Sequence, residues 1–574
     1  MIIFSAILLL IGLVIFSSAD NPSVKTPVGI IEGFQHDNKD GSKSHIYLGI
    51  RYARAPVGDL RFEKPMPYSE VEGITEAKAF GPACYPVHRE KMSASNYSED
   101  CLFLNIIRPA AKPTNPNGYP VLVFVYGGGF VTGNSEQYGN KSLSEHFAAQ
   151  GIITVTIQYR VGPLGFFSTG DNILPGNIGL WDQMYALHFL HQILPNFGGN
   201  PQEITIWGHS AGAASVHALS ISPYSESYFK RAIQSSASLF AEWAFNENVV
   251  ENSLKLAKYS NCSDKNSEKV HDCMKTKTVD EILDAADKMG AYNAHVREFT
   301  FNPRLDGQFL PQTLESLMKS SINIPTVFGL TDKEWAMIAN VPQHPLRNPN
   351  GIDDDDKKHF GSRELQRYIG EFIVPHEETG RSGGALRTAL YEYFVDRNAP
   401  LKEEGNEEWY LNGAVDVMGD LMFVVPVIQQ IEVRTALNQE SYLFYQKYYN
   451  NATVGPNALV HGAVHGNENY YIFDQEFSGF KFTENDKILQ KNLLEGFTSF
   501  ILTGVPKSSN LQWPTTGADS GRHVVLNPAP KVEESFEKER MDFWLRELPA
   551  KIGINILKKT RLPHAELHQK HTEL

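Results

Sequence analysis

Basic residues are scarce for a chain of 574: 52 Lys and Arg stand against 66 Asp and Glu, a formal net charge of −14. Neutralising phosphates requires clustered cations, so this balance excludes a nucleic-acid partner. Cysteine is sparse as well, with four in the chain, which excludes a disulfide-dense scaffold. There is no HExxH. His461 and His465 have the spacing of a zinc pair, but Gly462 and Gly466 disfavour the helix such a pair would need. Neither a metal nor any other cofactor is therefore expected. Internal repeats and long low-complexity linkers are missing too. Long apolar runs are confined to Met1–Phe16, shorter than the ~20 residues needed to cross a bilayer and followed by Ser17-Ser18-Ala19. That pattern predicts a secretory signal over residues 1–19 and no transmembrane anchor, with no later stretch apolar enough to span.

What is abundant is core-forming: 42% of residues are hydrophobic and 21% charged, which argues for a large buried interior and against disorder. Between residues 20 and 560 the sequence reads as one catalytic domain, because candidate site residues come from most of that length. The even cysteine count fits an oxidising compartment. Spacing offers Cys84 with Cys101 and Cys262 with Cys273, although four cysteines allow three pairings. Sequons at Asn96, Asn140, Asn261 and Asn451 predict a glycoprotein, while Pro22 excludes Asn21. Residues 561–574 are polar and close with His571-Thr572-Glu573-Leu574. This ending resembles the KDEL and HDEL retrieval tails, and with the signal it predicts residence in the endoplasmic reticulum lumen through a retrieval receptor, with secretion as the alternative.

Short β-branched and aromatic runs recur before Gly-rich punctuation: Val121–Tyr126, Ile152–Ile157, Ile204–Trp207 and Thr326–Phe328. Buried parallel strands read this way, apolar without alternation. Between them lie stretches of helical spacing, such as Leu180, Met184, Leu187, Leu190 and Leu194. The alternation predicts an α/β fold with a large, mostly parallel central sheet flanked by helices.

Gly208-His209-Ser210-Ala211-Gly212 is a G-x-S-x-G between an expected strand and an expected helix. Such a turn is tight enough to require flanking glycines, and it lifts a serine hydroxyl above the sheet edge at a helix N-terminus. A carbonyl attacked by Ser210 would develop an oxyanion. Upstream, Gly127-Gly128-Gly129-Phe130 offers side-chain-free amides, so Gly128, Gly129 and Ala211 are the expected oxyanion hole.

At this point the sequence resembles the type-B carboxylesterase and lipase family, which includes the cholinesterases, over nearly the whole mature chain. Glu99-Asp100-Cys101-Leu102-Phe103-Leu104-Asn105-Ile106 fits one family signature, and Tyr47-Leu48-Gly49-Ile50-Arg51-Tyr52-Ala53 fits the N-terminal block. The stretch Phe197-Gly198-Gly199-Asn200-Pro201 leads to the serine turn as its counterpart does. With the retrieval-like tail, the chain is similar to members of the gut-esterase or liver-carboxylesterase kind. The resemblance implies an α/β-hydrolase fold, both short disulfides, and a Ser-acid-His order.

Phe328-Gly329-Leu330-Thr331-Asp332-Lys333-Glu334-Trp335 resembles the family's acid block and assigns the acid to Glu334, with Asp332 as rival. Gly462-Ala463-Val464-His465-Gly466 resembles the histidine block and assigns the base to His465, with His461 as rival. Most family members carry Glu or Gln where this chain has His209, whose side chain is expected to point away from the catalytic face. The Cys84–Cys101 loop holds no Trp, so the cation–π contact with which cholinesterases hold a quaternary ammonium is missing. Phe130, Phe166 and Phe167 are candidates for the acyl or alcohol pocket. The expectation is a serine hydrolase of small to medium carboxylic esters. A lipase and a non-catalytic adhesion protein of the neuroligin type are the alternatives.

Overall fold

A computed structural model describes residues 21–552 apart from 69–72, 90–92, 291–298, 342–350, 475–476, 478, 510 and 518–520, and without the side chains of 376–382. The expected signal at 1–19 and the tail at 561–574, with His571, Thr572, Glu573 and Leu574, lie outside the described residues.

Eleven strands build the main sheet. In chain order they are β1 (Phe34–Asp37), β2 (Lys43–Arg51), β3 (Phe103–Pro109), β4 (Tyr119–Val125), β5 (Ile153–Ile157), β6 (Gly199–His209), β7 (Arg231–Ser235), β8 (Thr326–Thr331), β9 (Ser441–Gln446), β10 (His523–Leu526) and β11 (Lys531–Glu533). Their order in space is β11-β10-β9-β8-β7-β6-β4-β5-β3-β2-β1. Strands β4 to β10 pair in parallel, and antiparallel pairs close both edges. All five residues of β5 and Val121–Val125 of β4 are buried, as expected for strands covered on both faces. This is the mostly parallel sheet that the apolar runs predict.

The chain leaves β4 toward β5 on one side, while β6 lies on the other side of β4. Helices of an open α/β sheet diverge at such a reversal and leave a crevice beyond the strand ends. Register places Val125 beside Gly208 and His209 beside Ser235, so the loops after β4, β6 and β7 emerge together. Helix α1 (Ile178–Ile193) supplies the predicted helical spacing. Helix α2 (Ala211–Ile221) follows β6 directly, and all eleven of its residues are buried. Small side chains at Ala211, Gly212, Ala213, Ala214 and Ser215 suit so close an approach to the sheet.

One sequence expectation is corrected. Helix α3 (Glu407–Gly419) continues through 420–424 and 425–436, and over Glu407–Ala436 it is long and apolar enough, by composition, to cross a membrane. Asp416 and Asp420 interrupt the run, but the stretch as a whole is apolar. In the structure 72% of its apolar window is buried in the protein. Lys333 Nζ reaches Asp416 at 3.0 Å, and Trp544 Nε1 donates to Asp420 at 2.7 Å. This is a core helix whose two acids are satisfied internally.

Disulfides join Cys84 to Cys101 and Cys262 to Cys273. Asn96, Asn261 and Asn451 are exposed and Asn140 is half-buried.

Candidate active site

Strand β6 ends at His209 and α2 begins at Ala211, which leaves Ser210 alone to make the turn. Its backbone sits at φ +57°, ψ −127°, a strained conformation for a residue with a Cβ. The Ser210 N–H donates to Ser235 O at 2.8 Å, which ties the turn to the end of β7. A Cβ at Gly208 would lie 2.1 Å from Gly212 O, so the strand and helix can approach this closely only because that position has no side chain.

The glycine loop after β4 passes beside this turn, since a Cβ on Gly127 would lie 2.7 Å from Ser210 Cβ. The N–H groups of Gly128 and Gly129 have no backbone acceptor among the described residues. That of Ala211 opens α2, where the first amides have no intrahelical partner. These are the three groups the sequence nominates for an oxyanion hole.

Glu334 follows β8 and is 3% exposed. Its Oε2 meets His465 Nδ1 at 2.7 Å, and its Oε1 accepts from the Ser236 hydroxyl at 2.7 Å and the Thr331 N–H at 2.9 Å. His465 stands in an irregular loop, with the next helix starting only at Asn467. Neither rival reaches this pair. Asp332 accepts the N–H of Ala463 instead, and His461 is exposed. Burial pushes the His465 imidazole down and the Glu334 carboxyl up, while the Thr331 amide and the Ser236 hydroxyl hold Glu334 down. Burial thus disfavours the charged form of both groups, and the hydrogen bonds to Glu334 are what favour its anion.

Ser210 makes no hydrogen bond to the His465 ring among the described residues; in substrate-free sites such contacts tighten only in the complex. His209, the residue before Ser210, packs on that ring. Its ring centroid lies 4.7 Å from that of His465 at an interplanar angle of 43°, and its Nε2 is buried without a hydrogen-bond partner among the described residues. The expectation that His209 points away from the catalytic face is thus overturned. At the last position of β6 the chain is already turning, and strand alternation no longer fixes the side-chain direction.

Aromatic rings bound the space around these groups. Phe423 lies 4.3 Å from the His465 ring and Trp335 lies 6.2 Å from it. Phe299 covers Gly129, where a Cβ would come within 2.6 Å of its ring, and Trp243 packs on Phe299 at 5.1 Å. Of the three phenylalanines nominated from sequence, Phe130 reaches Trp243 at 6.2 Å and Phe166 backs Phe130 at 5.2 Å. Phe167 packs on Phe62 at 5.6 Å. Sequence reasoning missed Ser236, Phe423, Phe299 and Trp243. Ser236 had a findable signal, because it follows β7 as Ser210 follows β6. No group of three or more His, Cys, Asp or Glu able to hold a metal occurs among the described residues.

Comparison with known proteins identifies the family. The model of the carboxylesterase family matches residues 20–544. Gut esterase 1 of Caenorhabditis elegans is 31% identical over 547 residues, covering 94% of this chain and 95% of the relative. Pyrethroid hydrolase Ces2e of Rattus norvegicus is 31% identical over 566 residues, covering 95% and 93%. A cholinesterase of Mus musculus is 28% identical over 546 residues, covering 91% and 86%. A mostly parallel sheet, a strained serine turn at its reversal point and a match spanning nearly the whole chain lead to one conclusion: this protein belongs to the carboxylesterase family and is a serine ester hydrolase of the α/β-hydrolase fold.

Proposed function

We propose that the protein hydrolyses small to medium carboxylic esters through Ser210, His465 and Glu334. His465 takes the Ser210 proton as the hydroxyl oxygen attacks the ester carbonyl. The oxygen that becomes negative is received by the amides of Gly128, Gly129 and Ala211, a stabilisation of about 3 kcal/mol per well-placed donor. Collapse of the tetrahedral adduct expels the alcohol, which takes its proton from His465, and leaves an acyl group on Ser210. Water then repeats the sequence and releases the acid. Glu334 holds the imidazole with Nε2 free toward the serine and balances the imidazolium charge.

The observation that carries this reading is the 2.7 Å bond between His465 and Glu334 on loops that emerge beside the Ser210 turn. Phe299 over Gly129, with Trp243 behind it, limits the space beside the hole and favours short acyl groups. The signal-like start, the sequons Asn96, Asn140, Asn261 and Asn451 and the terminal His571-Thr572-Glu573-Leu574 further support a glycoprotein of the endoplasmic reticulum lumen, held by a retrieval receptor.

A panel of p-nitrophenyl esters of rising acyl length tests the reading. Maximal kcat/KM on short and medium chains, abolished by Ser210→Ala, is expected. A maximum on the long-chain p-nitrophenyl esters would favour a lipase.

A further inference from the structure

The proposed acid and base stand on separate loops, 331–335 and 461–466, so their contact depends on the distance between two irregular segments. The main chain joins them in one place: Lys333 N–H donates to Ala463 O at 3.0 Å, and Lys333 pairs with Val464 in an isolated parallel bridge. A side chain completes the junction. Asp332 Oδ1 accepts the Ala463 N–H at 2.7 Å, so both polar groups of Ala463, two residues before His465, are held by consecutive residues of the acid loop. Asp332 is itself anchored, its N–H donating to Gln446 O at the end of β9 at 3.2 Å. The approach is close: a Cβ on Gly462 would lie 2.9 Å from Asp332 Oδ1.

We propose that Asp332 is a positioning residue for ester hydrolysis, its side-chain oxygen clasping the Ala463 amide so that the base loop keeps His465 in register with Glu334. This rests on the reading of His465 as the base. Asp332 touches neither substrate nor the reacting atoms and acts only through Ala463. Lys333 on its own loop, Asp416 on α3, Lys447 beyond β9 and the phenols of Tyr445 and Tyr449 surround it. Lys333 is shared with Asp416 at 3.0 Å, and burial pushes the Asp332 carboxyl up to about 7. A group so poorly supported as an anion serves by where its oxygen lies more than by its charge.

Two polar variants of the full chain separate reach from charge. Asp332→Asn keeps an acceptor oxygen at the same distance, whereas Asp332→Glu keeps the charge but extends the side chain by one methylene against Gly462. For a p-nitrophenyl ester, Asp332→Asn should retain kcat within about threefold. Asp332→Glu should lose about tenfold or more in kcat with KM held within about twofold, the pattern of a displaced catalytic group. Equal kcat in the two variants, or a more active Asp332→Glu, overturns the proposal. His465→Ala in the same series keeps the two readings apart. If His465→Ala stays active, the base assignment fails; if it is inactive while Asp332→Glu matches the parent, only the clasp fails.

Discussion

The imidazole of His209 lies against that of His465, with centroids 4.7 Å apart, so the residue before the proposed nucleophile packs on the proposed base. Burial first, and the neighbouring His465 second, hold His209 well below the ordinary histidine range. It therefore stays neutral, so no second cation would oppose an imidazolium on His465 in the proposed cycle.

A carboxylate at this position reverses that relation. Glu in place of His209 would stabilise the His465 imidazolium, raise its pKa and remove the neutral base at a higher pH. The acid limb of the kcat/KM profile of His209→Glu should move up by roughly 1 pH unit, while His209→Gln should leave it in place. A limb that moves down in His209→Glu would contradict the stacked arrangement.

Ser236 donates its hydroxyl to Glu334 Oε1 at 2.7 Å, and that bond favours the ionised carboxylate. Ser236→Ala removes it, so Glu334 takes up its proton at a higher pH and the charged partner of His465 is lost there. The acid limb of kcat/KM is expected to shift upward, with a loss at neutral pH of about tenfold for one charge-assisted hydrogen bond. A profile superimposable on the parent would show that Ser236 is a bystander.

Glu468 is 1% exposed, and burial together with the neighbouring Glu334 pushes it up to about 8. Its folded pKa lies above its unfolded value, so the folded state binds the extra proton. The stability this contributes is fully present below about pH 4.5 and is lost as pH rises toward 8. Glu468→Gln should therefore leave Tm unchanged at pH 4.5 and raise it at pH 8.5 by roughly 2 °C or more, as read by calorimetry. A lower Tm at pH 8.5 would mean that the carboxylate is needed as an anion.

The two disulfides close loops of similar size, with separations of 17 and 11 residues, so chain entropy gives each about 3 kcal/mol. Access separates them. Cys84 and Cys101 are 2% and 1% exposed, whereas Cys273 is only half-buried. Under mild reduction and alkylation followed by mass spectrometry, Cys262 and Cys273 should be modified first, with esterase activity retained. Modification of Cys84 ahead of Cys273 would contradict this order.

The fold was legible where burial on both faces leaves a mark in sequence. The apolar runs at Val121–Tyr126, Ile152–Ile157, Ile204–Trp207 and Thr326–Phe328 coincide with β4, β5, β6 and β8. The edge strands and the three-part helix 407–436 left no comparable signal, because a run punctuated by Asp416 and Asp420 reads as amphipathic until its partners Lys333 and Trp544 are seen. In the site, Ser210 and the glycine loop were legible because tight turns demand particular residue types. Glu334 and His465 came from resemblance to a family, since nothing local separates them from Asp332 and His461. The direction of His209 was misread because alternation ends where the strand begins to turn. Ser236 and Phe423 belong to the site only through contacts distant in sequence.

Labelling by an organophosphate, followed by mass analysis of the Ser210 peptide, tests the central claim most directly. The account predicts one adduct per chain at Ser210, formed in step with loss of esterase activity, and slowed about a thousandfold or more in His465→Ala. Full esterase activity in protein whose Ser210 is unmodifiable, or an adduct rate unchanged by His465→Ala, would contradict it.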